Sequence, residues 1–570
     1  MKKTSYNPAI SEIEIWGVVL LLIPFISLLL ATATLLARGN IAIWMFPTAT
    51  ALSLAIGHLL IGRHTPHTHA HHRYYLVVLP SILFALISSA ILYDNSFDGN
   101  TYHQGAIIDM LAGCNPYYHP EQIDIIWGRH YAKALEIAAS TIAIFFNRIE
   151  CGKAVNIMLI QASLFIAYSF LRRRFAQLSL QRTLLITTLI TLCPTVIRQA
   201  YIYYTDYALY TFMLLAIIAL ITLYSSNNPL SWCILAISVI FATSTKFTIA
   251  FYLYLTIATA IVWYYVTNHR QQSIRLTIAA AIFAIIGFGI IGYHPYITNT
   301  IGWGNPFYPL IGGNVDIMTS NTPELYLDGN RVSNWFRSLF YNAQGSGIWI
   351  PFVSDSLHDY YISYDSRIAG FGPFFGYVLF ASIALMALTL YKQKHYITPL
   401  KHQAYTYIIL SAILLAACFV FEQSWWMRYT PFLWAVPIIL LLYTELDKTL
   451  SPALQAVRNI LYSLLVVTQA LCCATTIIAG ISYAQRMEGM FNAITPQSTI
   501  EVYNLNDVQS INHKLCERDI KFSILKEGEE PSDSTLQLVV FPEKANIYLD
   551  NDTYNRMQHP DMLDIILGNK

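Results

Sequence analysis

Long apolar runs separated by short polar connections occupy most of this chain. Residues 18–36, 276–291 and 408–420 contain no charged side chain. A helix of ~20 apolar residues spans the ~30 Å hydrocarbon core of a bilayer. The pattern therefore predicts an all-α polytopic membrane protein with about thirteen transmembrane helices. The predicted spans cover residues 14–37, 41–62, 74–93, 154–171, 183–201, 207–224, 230–244, 247–266, 276–293, 371–391, 403–421, 429–443 and 459–482.

The composition agrees with this interpretation. Of the 570 residues, 55% are hydrophobic and 12% are charged, whereas charged residues make up ~25% of a typical soluble domain. The mean hydropathy is +0.46. A division into several soluble domains, which the length alone would allow, is therefore excluded. The formal net charge is +1, so no overall positive field indicates a nucleic-acid partner.

Lysine and arginine are distributed unevenly between the connections. Cytoplasmic loops of membrane proteins retain positive charge. If the N-terminus is inside, fifteen of these cations fall in short cytoplasmic connections and four in short outer connections. The bias predicts a cytoplasmic N-terminus, and an odd number of spans then predicts an extracytoplasmic C-terminus. The first apolar run lacks a small-residue cleavage site, so we interpret it as a retained helix rather than a signal peptide.

Two long polar loops are then expected on the outer side, at residues 94–153 and 294–370. The first contains an amphipathic stretch, residues 131–146, whose apolar stripe predicts a helix lying in the membrane interface. The second is rich in Tyr, Trp, Gly, Asn and Pro, a composition typical of a structured binding loop.

The polar tail follows the last predicted span. Its residues 536–541 alternate apolar and polar side chains, which predicts strands in a small α/β cap. The expected domains are therefore a transmembrane domain, residues 1–482, and an extracytoplasmic C-terminal domain, residues 483–570.

Two carboxylates follow the third span. Asp94 and Asp98 are four residues apart, so a continuing helix would place them on one face. Like charge and partial desolvation would raise the pKa of one of them, which suits a proton acceptor. The alternative is that Asp98 simply caps a helix over residues 100–112.

Other charged residues are expected at the same outer side. Arg198, Asp206, Lys246 and Arg428 each lie in a short connection between apolar segments. Charges near the membrane are costly, and each justifies a functional hypothesis. A single Lys or Arg can also snorkel to the interface without further function. Together with the two acids, they predict a cleft that holds a carboxylate base and cations for a phosphate.

The remaining candidates are less specific. The segment 303–309 combines aromatic rings with Asn305 and suits either sugar rings or an interfacial aromatic belt. Cys114 and Cys151 fall in one outer loop and could form a disulfide. Five histidines crowd residues 63–73, and we interpret this as a solvated loop rather than a metal site. The sequence has no Walker loop, GxSxG elbow or HExxH motif, so it gives no support to the chemistries of those motifs.

The order of these motifs along the chain resembles that of the GT-C superfamily of membrane glycosyltransferases. The resemblance covers roughly residues 74–443, and its individual motifs are short. The matching segments are residues 98–103, 113–118, 203–206, 245–247, 304–309 and 426–429.

The resemblance implies an inverting glycosyltransferase in a bacterial inner (plasma) membrane that uses a polyprenyl-phosphate sugar donor at the extracytoplasmic face. The acceptor would be a glycan, a lipid or a protein. Asp98 would act as the catalytic base, and Asp94 would orient the acceptor or help hold a metal. The residues implied to bind the donor phosphate are Arg428, Lys246 and Arg198. The residues implied to line the cleft or bind the acceptor are Asp206, Tyr102, His103, Tyr204, Asn305 and Tyr308.

The chain also departs from the family pattern. Asp98 is followed by Gly99, so the adjacent acid pair of some branches is absent, and Trp425-Trp426 is followed by Met427 instead of an acid. No cofactor is firmly implied, and dependence on a divalent cation stays open. Two alternatives remain: a transporter or flippase of a lipid-linked saccharide, and a surface-polysaccharide ligase or polymerase.

Overall fold

The computed structural model places most of the chain. The residues that it describes are 11–65, 69–123, 125–309, 321–341, 370–393, 399–447, 450–504, 509–526, 529–532, 535–541 and 545–557.

The structure is predominantly helical, about 75% of it. Within the described residues, nine helices are long and apolar enough to cross a membrane, and four apolar helices are shorter. This is consistent with an all-α membrane protein, whereas the count of thirteen spans stays a prediction. The nine long helices are Glu12–Leu36, Met45–His64, Ala70–Ile91, Ile149–Arg174, Asp206–Ser225, Phe247–Val266, Arg270–Ile291, Phe375–Lys392 and Pro452–Ala493. The four shorter ones are Ala134–Phe146, Pro229–Thr243, Tyr405–Ala417 and Pro431–Leu446.

Shorter helices and turns connect these elements. The further α-helices are Gln104–Leu111, Ile126–His130, Leu180–Thr191, Pro194–Gln199, Thr298–Trp303, Glu324–Leu327, Arg331–Phe340, Ser510–Cys516 and Asn551–Arg556. The π-helical turns are Gly99–His103, Ile285–Ile291 and Tyr293–Ile297. The 3₁₀ turns are Pro120–Gln122, Ile149–Lys153, Met427–Tyr429 and Pro431–Trp434.

Helix Glu12–Leu36 is the centre of the helical body. It packs against helices Met45–His64, Ala70–Ile91 and Ala154–Arg174, and its middle turns are buried. Outer helices instead expose apolar side chains; Leu76, for example, is 59% exposed. Such apolar surface is expected where a helix meets lipid.

The fifth predicted span, residues 183–201, is wrong as one helix. The chain forms helix Leu180–Thr191, breaks, and restarts as Pro194–Gln199. Proline lacks the N–H that would continue the helix and clashes with the preceding turn, so it suits a helix start. The Gln469 side-chain amide donates to the carbonyls of Leu189 and Leu192, at 3.1 and 2.6 Å, and so satisfies part of the broken end.

The amphipathic stretch 131–146 forms a helix, Ala134–Phe146, which protein surrounds over most of its length. Its place in the membrane interface stays a prediction. Its first ten residues are buried, because helices Glu12–Leu36 and Gln104–Leu111 and the turn Ile149–Lys153 pack around it. Only its last turn, with Phe145 and Phe146, reaches the surface. The helix is therefore part of the protein interior beneath the first loop.

The tail contains a small four-stranded sheet. Its strands are β1 (Ile500–Asn504), β2 (Ser523–Leu525), β3 (Thr535–Phe541) and β4 (Ala545–Asp550). They lie in the order β2-β1-β4-β3, with β1 parallel to β2 and antiparallel to β4. The predicted strand at 536–541 corresponds to β3. Apolar side chains of the sheet and of helix Ser510–Cys516 pack onto the end of the long helix Pro452–Ala493.

Candidate active site

Four charged side chains from distant parts of the sequence meet at one end of the helical body. Arg428 Nη1 and Nη2 donate to Asp98 Oδ2, each at 3.3 Å. Arg428 Nε lies 3.4 Å from Asp206 Oδ2, and Lys246 Nζ donates to Asp206 Oδ1 at 2.6 Å. We call Asp98, Asp206, Lys246 and Arg428 the charged cluster. Two carboxylates and two cations alternate in it, so each charge lies beside an opposite one.

Each member of the charged cluster stands at the end of a regular element. Asp98 directly precedes the π-helical turn Gly99–His103, and Asp206 begins its helix. Lys246 lies in the short break before helix Phe247–Val266, and Arg428 lies in the 3₁₀ turn Met427–Tyr429. Helix ends at one side of the bundle bring these residues together despite their separation in sequence. Since π-helical turns often occur at functional sites, the position of Asp98 is notable.

Asp98 does not act as a helix cap. Its backbone is itself helical, with φ −58° and ψ −36°, and its side chain makes no capping hydrogen bond. A cap residue would have extended backbone and would accept from the next turn. The carboxylate contacts Arg428 instead.

Aromatic rings hold the two cations. The Arg428 guanidinium lies 5.2 Å from the ring centre of Tyr204 and 4.8 Å from that of Trp426. Trp426 stacks in turn on Trp425, with ring centres 5.3 Å apart. Lys246 Nζ lies 5.2 Å from the ring centre of Tyr429. Such cation–π contacts restrict the guanidinium and ammonium groups and are strongest where water is excluded.

An open cleft lies against the charged cluster and encloses about 810 Å³ with its mouth included. Lys246 and Arg428 form part of its wall, and most of the other wall residues are aromatic. The lining residues are Tyr102, His130, Tyr131, Ala132, Thr245, Lys246, Phe247, Thr248, Pro295, Tyr296, Pro306, Phe307, Tyr308, Phe421, Gln423, Arg428 and Tyr429.

The four charged side chains differ in exposure. Asp206 is 5% exposed and Arg428 10%, whereas Lys246 is 18% and Asp98 19% exposed. Asp206 is therefore the internal counter-ion of both cations, and it is not itself a lining residue of the cleft. Asp98 is not a lining residue either, and it reaches the cleft through its contact with Arg428, which is one.

Burial and the nearby Asp98 carboxylate raise the pKa of two tyrosines. Burial, and secondly the Asp98 carboxylate, raise the pKa of Tyr102 well above its ordinary value. Burial raises the pKa of Tyr131 as well, with smaller contributions from Tyr429 and Asp98. Both phenols therefore stay protonated, and both residues line the cleft.

An aromatic platform, formed by Trp303 and Tyr308, adjoins the cleft, and Tyr308 belongs to the cleft lining. Trp303 and Tyr308 stack with ring centres 4.1 Å apart and an angle of 6° between the planes. His130 stands edge-on to Tyr308 at 4.9 Å, and its Nδ1 lies 2.8 Å from Asn299 Oδ1. Trp303 is 57% exposed, so a broad ring face is open beside the cleft.

Asp94 lies apart from the charged cluster, and its expected helix face shared with Asp98 is wrong. Residues 92–96 form an irregular segment after helix Ala70–Ile91. The Asp94 carboxylate is fully buried and accepts hydrogen bonds from Ser96 N and Oγ at 2.8 and 2.6 Å and from Tyr203 N at 2.8 Å. Burial raises its pKa, and Lys153 opposes that shift. Asp94 thus connects the segment before Asp98 to the segment before Asp206.

Arg198 and His103 are also placed outside the cleft. Arg198 is 2% exposed, and its guanidinium lies close to the Cys472 thiol of the long helix. His103 Nδ1 lies 2.5 Å from Glu136 Oε1, and both side chains are buried. Neither residue is a lining residue, because helix packing turns both side chains into the protein.

The structure distributes the remaining expected residues as follows. Tyr102 and Tyr308 line the cleft, and Tyr204 supports Arg428 from behind. Asn305 Oδ1 accepts from Phe307 N at 2.9 Å and so shapes the turn that presents Tyr308.

Sequence reasoning missed His130, Tyr131 and Tyr429. The first two precede the observed helix Ala134–Phe146, and Tyr131 is the first residue of the predicted amphipathic stretch. The usable signal was the run of polar and aromatic residues immediately before that helix.

The other chemical expectations concern metals and cysteines. Over the described part of the chain, no group of three or more His, Cys, Asp and Glu side chains could hold a metal ion. Cys114 and Cys151 are buried free thiols, so the disulfide considered for them does not form.

Known proteins add no family to this description. No protein-family model matches the chain, and no curated protein matches it. The fold and the site therefore define a class by their own features: a helical protein of membrane type with an aromatic cleft and an ion-paired cluster at the ends of its helices.

Proposed function

We propose that this chain is an integral-membrane glycosyltransferase of the GT-C type. It would transfer a sugar from a polyprenyl-phosphate donor to an acceptor at the extracytoplasmic face, with inversion. The observation that carries the proposal is the ion-paired cluster of Asp98, Asp206, Lys246 and Arg428 beside an aromatic cleft. Such a cluster supplies a carboxylate and two cations, which the transfer requires.

The two cations suit the donor phosphate. Lys246 and Arg428 belong to the cleft wall, whereas neither acid of the charged cluster does. An anion entering the cleft therefore meets positive charge first. A planar guanidinium binds phosphate oxygens in pairs, and an ammonium adds a compact charge. Asp206 holds both cations in place before the donor arrives.

Asp98 is the proposed base. The acceptor hydroxyl attacks the anomeric carbon, the bond from that carbon to the phosphate oxygen breaks, and Asp98 takes the hydroxyl proton. The electron pair of the broken bond leaves with the polyprenyl phosphate, which Arg428 and Lys246 stabilise. Loss of one preorganised group of this kind commonly costs ~10²–10³ in rate.

The aromatic platform suits the sugar. The exposed face of Trp303 and the hydroxyl of Tyr308 offer stacking and hydrogen bonding beside the cleft. The apolar rings of Phe247 and Phe421, on the wall near Lys246, suit the first isoprene units of the donor.

Cells that lack the gene test this proposal whichever sugar is transferred. They are complemented with the wild type, with Asp98→Asn or with Asp328→Asn, an exposed acid that serves as the matched control. Mass spectrometry of surface glycans, lipids and proteins then reveals any lost sugar. We expect the wild type and Asp328→Asn to restore the sugar and Asp98→Asn to fail at normal protein level.

Proteoliposomes separate transfer from transport. A panel of radiolabelled polyprenyl-phosphate hexoses and pentoses is supplied with an envelope extract as acceptor. Release of polyprenyl phosphate with an inverted product supports the proposal. Movement of intact donor across the bilayer, with no cleavage of the sugar–phosphate bond, would instead identify a flippase.

A further inference from the structure

A second group of charges lies beneath the segment that carries Asp98. Glu150 contacts Lys153 at 2.5 Å and Lys514 at 3.1 Å, and its Oε2 accepts from Asp94 N at 3.1 Å. Each of these four side chains is at most 1% exposed. We call Asp94, Glu150, Lys153 and Lys514 the buried quartet. It holds two carboxylates and two ammonium groups, so its charges balance.

Lys514 is the only member of the buried quartet that the C-terminal domain supplies. It lies on helix Ser510–Cys516, whose Ile511 and Leu515 are buried in the core of that domain. The other three members belong to the segments around residues 94 and 150. If Lys514 is removed, two buried carboxylates share one cation, and an uncompensated buried charge is strongly destabilising.

Lys514 also reaches the turn that carries Asp98. Its Nζ donates to Asn100 Oδ1 at 2.9 Å. The Asn100 amide nitrogen donates to the carbonyls of Asp94 and Ser96, both at 2.8 Å. Together with Gln104, whose Nε2 donates to the same oxygen at 3.1 Å, the lysine orients an amide that closes the segment 94–100 on itself. Asp98 lies within that closed segment.

Further contacts dock the C-terminal domain at the same place. Ile149 N donates to Glu517 Oε1 at 2.5 Å. Arg518 Nη2 donates to the Tyr93 hydroxyl at 2.7 Å, and that hydroxyl donates to Glu488 Oε1 of the C-terminal domain at 2.7 Å. These contacts flank Lys514 and hold it over Glu150.

We infer that the C-terminal domain is a working part of the Asp98 site and that Lys514 is its positioning residue. Lys514 balances the buried quartet and orients Asn100, and through that amide it holds Asp98 against Arg428. The inference rests on the proposed function where it concerns catalysis. Its structural part, the control of the Asp98 turn by a distant domain, stands independently of the reaction.

The test compares Lys514→Met with Lys521→Met, a control at an exposed lysine of the same domain. Hydrogen exchange measured by mass spectrometry reports on the backbone of residues 94–104, and transfer assays give kcat and KM. We expect Lys514→Met to raise exchange in that segment at least ~10-fold. It should lower kcat by ~10- to 100-fold, since an ångström of misplacement can cost that much. The donor KM should change little, because Lys246 and Arg428 are untouched.

The double variant Lys514→Met/Glu150→Gln separates positioning from bulk stability. It removes one charge of each sign, so the unfolding temperature should return toward that of the wild type. The Asn100 contact is still missing, so exchange in 94–104 should stay high and kcat low. This variant also keeps the test decisive if Lys514→Met alone does not fold.

Two results would overturn the inference. One is exchange and kcat in Lys514→Met that equal those of Lys521→Met. The other is full recovery of kcat together with stability in the double variant, which would reduce Lys514 to a structural ion pair. If the wild type transfers no sugar, the proposed function fails, and hydrogen exchange alone decides the inference.

Discussion

Asp94 and Asp98 are close in sequence and should respond differently to the same chemical change. Asp98→Asn keeps the shape of the side chain but removes the proton acceptor, and loss of a general base costs ~10²–10⁴ in rate. Its effect on stability should be small, about 1 kcal/mol at most, because Asp98 is partly exposed and the amide oxygen still accepts from Arg428.

Asp94→Asn should act mainly on stability. Oδ1 accepts from Ser96 N and Oγ, and Oδ2 accepts from Tyr203 N. An asparagine that keeps the first two contacts points its NH₂ group at the Tyr203 N–H, so two donors face each other. An unsatisfied buried polar group costs about 1–3 kcal/mol. The change also leaves the buried quartet with one excess positive charge, so we expect a loss of about 3 kcal/mol or more.

Both variants are purified in nanodiscs beside Asp328→Asn. Thermal unfolding followed by tryptophan fluorescence measures stability, and single-turnover transfer measures chemistry. We expect Asp98→Asn to unfold with the wild type and to lose transfer, and Asp94→Asn to unfold several degrees lower. Near-normal turnover in Asp98→Asn would exclude it as the base. If Asp94→Asn were fully stable but lost transfer, Asp94 would have a role in the reaction itself.

Three further predictions concern the same end of the molecule. A Cβ on Gly99 would lie 2.1 Å from Asp94 Oδ2, so Gly99→Ala should lower both the unfolding temperature and the rate of transfer. The control Gly105→Ala should lower neither, because the atom nearest to its added Cβ is 4.0 Å away. Equal behaviour of the two variants would contradict the packing argument. Burial lowers the pKa of Lys133 to about 7. Because the unfolded chain binds more protons above that pH, the unfolding temperature should rise with pH between about 7 and 9. The Lys133→Met variant should show a smaller rise, and an equal rise in the wild type and the variant would contradict this role of Lys133. Arg428→Lys loses the planar fork and should raise the KM of the phosphate donor ~10-fold or more, whereas an equal loss for a neutral donor analogue would exclude a phosphate contact.

The helices and the meeting of distant charges were accessible from the sequence. Hydropathy places each apolar run, and the sidedness of the connections assigns Asp98, Asp206, Lys246 and Arg428 to the same end of the bundle. Four side chains at one end, two acidic and two basic, then have a strong electrostatic reason to pair. The sequence could predict that they share a region, whereas their order of contact depends on packing.

Local backbone geometry was not accessible in the same way. The spacing of Asp94 and Asp98 favours one helix face. However, the Asp94 carboxylate accepts from Ser96 N, and the Asn100 amide donates to the carbonyls of Asp94 and Ser96, so these side chains engage backbone groups of the segment. Polar side chains of this kind compete with regular structure, and hydropathy does not register them. The direction of the Arg198 side chain could not be predicted from the sequence either. It follows the helix break at Pro194 and depends on the helix that packs there.

In the proposed reaction, the contact between Asp98 and Arg428 lets the charge of the cluster change together with the charge of the leaving phosphate. With both acids ionised, the charged cluster is neutral, and a phosphodiester donor brings one negative charge. When the sugar leaves, the phosphate becomes a monoester and acquires a second negative charge near neutral pH. At that moment the acceptor proton neutralises Asp98, which releases the Arg428 guanidinium from its ion pair. The cluster becomes positive as the leaving group becomes more negative, so the total charge in the cleft does not change during the step. An acid and an arginine in direct contact, rather than two isolated groups, make that compensation immediate.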